Sequence, residues 1–107
     1  MAWLYLCAAG LAEIAWAVGM KYTDGFTRAV PTALTVAGMA LSIWLLSLAL
    51  RTIPLGTGYA VWTGIGAVGT AVCGMLLFGE SRAALRLACI AVIVAGIVGL
   101  KLFSEGA

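Results

Sequence analysis

Long apolar stretches separated by brief polar ones set the pattern of this chain. Residues 2–21 are apolar apart from Glu13 and the closing Lys21, and Lys21-Tyr22-Thr23-Asp24-Gly25-Phe26-Thr27-Arg28 then gathers charges, hydroxyls and a glycine. That composition suits a tight turn at a membrane surface. A second apolar stretch, 29–50, carries Pro31 in what would be a helix's first turn, where a missing N–H costs nothing, and it stops at Arg51-Thr52-Ile53-Pro54. The third, 56–79, ends at Glu80-Ser81-Arg82, and the fourth covers 84–103. Each matches the roughly 20 residues that a helix needs to cross a bilayer. The pattern predicts an all-α membrane protein of four transmembrane helices, a single domain over residues 1–107 with no room for an extramembrane part.

The stretches differ in character. A cleaved signal peptide would begin with basic residues and have a shorter core, so the first stretch reads as a retained span. The third holds or borders Gly56, Gly58, Gly64, Gly66, Gly69 and Gly74, which allow close helix contact, and Gly64-Ile65-Gly66 is the expected kink and conformational hinge. After Arg86 the fourth is Leu, Ile, Val and Ala with Gly96 and Gly99. It offers a substrate no polar group and is assigned to association.

Composition narrows the chemistry. The chain is 64% hydrophobic and 9% charged, with a mean hydropathy of +1.17, against about 45–50% apolar and about 25% charged in soluble domains. Histidine is absent, and Cys7, Cys73 and Cys89 are an odd number without CxxC spacing, so they read as buried, inert thiols. Neither a metal nor a cofactor is expected. The net charge of +2 and the scattered cations argue against nucleic acid. No P-loop, no GxGxxG following a strand and no GxSxG nucleophile elbow is present, which points away from an enzyme.

Basic residues orient membrane proteins. Four spans put Arg51 and Lys101 on the side of the termini and the second loop, and Lys21, Arg28, Arg82 and Arg86 on the other. Two against four is a weak instruction, so such a chain can insert both ways.

Glu13 is the one carboxylate far from an interface. A charge at the bilayer centre costs roughly 2.5–3.5 kcal/mol on insertion scales, and every Lys and Arg lies near a span end. Its residue type permits two readings, a protonated hydrogen-bond donor between helices or a cation and proton site. At helical spacing its face carries Gly10, Trp16 and Ala17. Ser42 lies midway along the second span, while Tyr59 and Trp62 share a face of the third beside Thr63. Trp3 and Tyr5 are assigned to the interfacial belt and Trp44 to packing. A carboxylate, aromatics with polar handles and a hydroxyl make a site for a small cation. One copy leaves much of that polar surface facing lipid, so a dimer is expected, with both carboxylates around a common cavity.

Three segments carry a family resemblance over nearly the whole length: Glu13-Ile14-Ala15-Trp16-Ala17, Lys21-Tyr22 to Gly25-Phe26-Thr27-Arg28, and Leu55-Gly56-Thr57-Gly58-Tyr59-Ala60-Val61-Trp62-Thr63-Gly64-Ile65-Gly66. The chain resembles the small multidrug resistance family of bacterial inner-membrane exporters, and within it the guanidinium exporter subtype. Members that export bulky aromatic quaternary ammoniums usually have glycine where this chain has Trp16. The resemblance implies an antiparallel, dual-topology homodimer and proton-coupled antiport through Glu13, which protons and substrate would occupy by turns. It also implies that Trp16 and Trp62 line and constrain the pocket, that Ser42 and Tyr59 hydrogen-bond and orient the carboxylates, and that Met39 lines a portal.

Guanidinium suits such a site, being planar, permanently charged and able to pair its N–H groups with a carboxylate in bidentate fashion. The rival readings are a quaternary ammonium antiporter in the same family and, in another class, a non-transporting membrane subunit or lipid flippase component.

Overall fold

A computed structural model describes residues 1–104. It comprises four helices, α1 (Ala2–Tyr22), α2 (Ala29–Ala49), α3 (Leu55–Leu77) and α4 (Ala84–Ser104), with no strand among the described residues. All four are long and apolar enough to cross a membrane. Helices satisfy their backbone groups internally, which lipid demands of any spanning segment.

The connections are tight because their own side chains tie them. In the first loop Thr23 is fully buried, and its Oγ1 donates to the Met20 carbonyl at 2.7 Å and accepts from the Phe26 N–H at 3.2 Å. The Thr27 and Arg28 N–H groups both return to the Thr23 carbonyl, at 3.0 and 3.1 Å. These bonds hold Asp24, Gly25 and Phe26 in the left-handed region, at φ 50, 72 and 66°, although only glycine adopts it freely. At the other loop on this side, α3 stops at Leu77 rather than continuing to residue 79. Gly79 turns left-handed at φ 66°, and the Phe78 and Glu80 N–H groups both fold back onto the Gly74 carbonyl, at 3.0 and 3.2 Å.

Helix α1 is the centre of the chain, packed between α2 and α3, and α4 lies against α3. The fully apolar core, Leu6, Ala9, Leu46, Ala49, Ile53 and Val61, gathers where α1 begins, α2 ends and α3 begins. It therefore sits toward the second loop. The whole measures 45 × 35 × 17 Å, a slab one to two helices thick. No residue of α4 within Ala84–Phe103 is buried.

Two expectations fail against this packing. Cys7 and Cys89 are exposed and Cys73 is half-buried, because a slab this thin has little interior to put them in. Trp44, expected to pack, is instead 58% exposed on α2. Trp3 does more than sit at an interface: Lys101 Nζ lies 4.6 Å from its ring centroid, joining α4 to the start of α1.

Candidate functional site

Glu13 lies at the middle of α1, and its side chain presses into the backbone of α3. A Cβ placed on Gly66 would overlap the Glu13 carboxyl group. The neighbouring turns of α1 do the same: Ile65 fills the space beside Gly10, and Ile14 fills the space beside Gly69. Small residues thus let the two helices approach until the carboxylate touches main chain. Glu13 Oε1 is buried and has no hydrogen-bond partner among the described residues. Lys21, the nearest cation along the helix, is two turns away, about 12 Å by the helical rise.

A second cluster fixes the three helices around it. Ser42 is fully buried, donates to the Ala9 carbonyl of α1 at 2.7 Å and accepts from Trp62 Nε1 of α3 at 2.9 Å. Its single hydroxyl proton is therefore directed to Ala9, the carbonyl that the Glu13 amide meets one turn on in helical geometry. Within the chain Ser42 positions the backbone under Glu13 rather than the carboxylate itself. Tyr59 stacks obliquely on Trp62, with ring centroids 5.6 Å apart and planes at 57°, and is itself 56% exposed.

On the other flank of α1, Trp16 packs against Gly38 of α2, where an added Cβ would meet the Trp16 Cβ at 3.1 Å. Its Nε1 is buried without a partner. Met39, next to Gly38, is half-buried. Gly64 points elsewhere: it faces Ile93 and Ile97 of α4, and α3 stays helical through Gly64-Ile65-Gly66.

The structure thus brings Gly10, Glu13 and Gly66 into one seam and Ser42, Tyr59 and Trp62 into another. It sets Trp16 beside Gly38 and leaves Gly64 to the α3–α4 contact. Sequence reasoning missed two parts. Gly66 as the seat of the carboxyl had a faint signal, a glycine among several on one helix. The Ala9 carbonyl had none, since main-chain atoms leave no mark in sequence. No group of three or more potential metal ligands occurs among the described residues. The arrangement can hold a proton or a small cation at an unpaired carboxylate inside an apolar frame.

Comparison with known proteins identifies the family. The family described as Small Multidrug Resistance protein matches residues 1–93. A guanidinium exporter of Citrobacter freundii is 59% identical over 102 residues, spanning 95% of this chain and 97% of its own. The same values hold for a guanidinium exporter of Salmonella typhimurium. A guanidinium exporter of Proteus vulgaris is 56% identical over 104 residues, spanning 97% of this chain and all of its own. This four-helix membrane protein, with its one mid-membrane carboxylate, belongs to the Small Multidrug Resistance family.

Proposed function

We propose that the chain exports guanidinium, or small guanidinyl cations, across the bacterial inner membrane in exchange for protons. It works as an antiparallel homodimer. The observation that carries the reading is Glu13: an ionisable group at mid-membrane, seated on Gly66, with Oε1 buried and unpaired. The names of the similar proteins, guanidinium exporters at 56–59% identity, supply the cargo.

Glu13 holds either a proton or the cation. A guanidinium ion offers two parallel N–H donors to the two carboxylate oxygens, a pairing that a bulkier quaternary ammonium cannot make. Trp16 and Trp62 bound the space, and Ser42 holds the α1 backbone in register with both neighbours. Two facing copies titrate as a pair, so protons arriving from one side displace cation to that side. A slab 17 Å thick encloses no path alone. A second, inverted copy covers the exposed polar edge of Tyr59 and the bare face of α4. In such a dimer the two end states are one structure with roles exchanged, and Gly64 and Gly66 are the bending points.

The test is exchange of labelled guanidinium by vesicles holding purified protein under a proton gradient. Wild type exchanges it and Glu13→Gln does not, although the variant still inserts and dimerises. Full exchange by Glu13→Gln contradicts the shared site. Exchange of large aromatic cations in preference to guanidinium favours the quaternary ammonium reading, and no exchange at all favours a non-transporting subunit.

A further inference from the structure

The core gathers toward the second loop, and the opposite end of the protomer is open. There a cleft of about 360 Å³ enters between α1 and α3. Its inner wall reaches Ala17, one turn beyond Glu13, and Ala67, the residue after the glycine on which Glu13 rests. Its mouth is formed by Lys21, Phe78, Glu80 and Arg86. The cleft therefore runs from the loop level to within a helical turn of the carboxylate.

At that mouth a guanidinium group is already bound, and it is the chain's own. Arg86 Nη2 donates to Glu80 Oε1 at 2.8 Å, and Arg86 Nη1 donates to the Ser81 carbonyl at 3.1 Å. The Glu80 side chain, although 45% exposed, folds back toward the chain. It lies back over α3, where a Cβ on Gly74 would collide with it. Beside it the Phe78 ring has Lys21 Nζ at 5.6 Å from its centroid, so the corner already accommodates cations on an aromatic face. A carboxylate, a backbone carbonyl and a ring make a seat matched to planar N–H donors.

We propose that Glu80 and the Ser81 carbonyl form an outer guanidinium-binding site, which Arg86 fills at rest and a substrate guanidinium enters by displacing it. The inference rests on Glu13 being the inner site for the same cation. Arg86 and the substrate present the same functional group, so one replaces the other without new chemistry, and Glu80 stays neutralised throughout. The pair is 31% and 45% exposed, and ion pairs so open to water are weak. Arg86 is tethered, however, at an effective concentration in the millimolar range or above. The outer site is accordingly one of brief occupancy, suited to passing a cation along the cleft.

The test follows the Arg86 Nε–H signal by nuclear magnetic resonance in the detergent-solubilised full chain, assigned with Arg86→Lys. Guanidinium chloride is titrated against sodium chloride at matched ionic strength. The expected result is a saturable shift with guanidinium alone, in wild type and in Glu13→Gln, and none in Glu80→Gln. A signal that moves no further with guanidinium than with sodium overturns the site, as does a response lost in Glu13→Gln. In vesicles, Glu80→Gln lowers exchange about 3- to 10-fold below saturating guanidinium and matches wild type at saturation. Arg86→Ala, which empties the corner, raises exchange below saturation and serves alone if Glu80→Gln fails to insert; unchanged exchange overturns the proposal. Absence of guanidinium exchange in wild type would sink the reading of Glu13, yet the Arg86 titration in Glu13→Gln would still report on Glu80 by itself.

Discussion

The Glu13 carboxyl occupies the space that a side chain on Gly66 would need. The relationship makes Gly66 part of the site: no other residue lets α3 lie under the carboxylate. Alanine there improves intrinsic helix propensity by about 1 kcal/mol, so helix α3 itself gains. Binding moves the opposite way, because the methyl displaces the carboxyl. Gly66→Ala is expected to insert normally while guanidinium exchange falls about 10- to 100-fold. Gly64→Ala, at the other proposed bending point, is the comparison: its added methyl meets the Ile93 and Ile97 side chains and not the carboxyl, so it loses only the bending contribution, expected to be the smaller. Equal losses in the two variants would point to a shared bending role instead.

The Ser42 hydroxyl joins three helices through one oxygen. Ser42→Ala leaves Trp62 Nε1 without its acceptor and the Ala9 carbonyl without its second donor. Stability is expected to fall by about 1–3 kcal/mol, read from unfolding in a graded detergent mixture. Trp62→Phe removes the donor as well, so the double variant loses less than the sum of the singles. Additive losses would mean that the two groups do not act through one another.

Trp16 fills the flank of the site against Gly38. Trp16→Gly removes that bulk and is expected to admit bulkier quaternary ammonium cations while guanidinium exchange persists. The ratio of the two exchange rates in vesicles reads the change. An unaltered ratio would make Trp16 a packing residue only.

The proposed competition of protons and cation for the same oxygens fixes the sign of the pH dependence. Acid fills Glu13 with protons, so the apparent Kd for guanidinium rises as pH falls, by about tenfold per unit at the acid limit for one proton displaced. Tryptophan fluorescence titrations across pH measure it. A Kd that does not move with pH contradicts competition.

The four spans and the isolated charge were legible because length and a lone carboxylate in an apolar run are properties of the string itself. The directions in which side chains face were not. Each helix is apolar round most of its circumference, so the stripe that marks the inner face of a soluble helix is missing. Hence Gly64 and Gly66 look alike in sequence, although one meets α4 and the other meets Glu13. Hence also Trp44 and Cys89 read as interior and lie outside. Ser42 and Trp62 were singled out for their polar handles, but that the hydroxyl points to the Ala9 carbonyl depends on how three helices rotate against one another.

The most direct measurement of the central claim is proton release on binding. Guanidinium is added to purified protein in weakly buffered detergent solution and the released acid is followed with an indicator dye. Wild type is expected to liberate protons in a saturable manner, and Glu13→Gln none. Guanidinium binding that liberates no proton from wild type at any pH, or equal release from Glu13→Gln, would contradict exchange at this carboxylate.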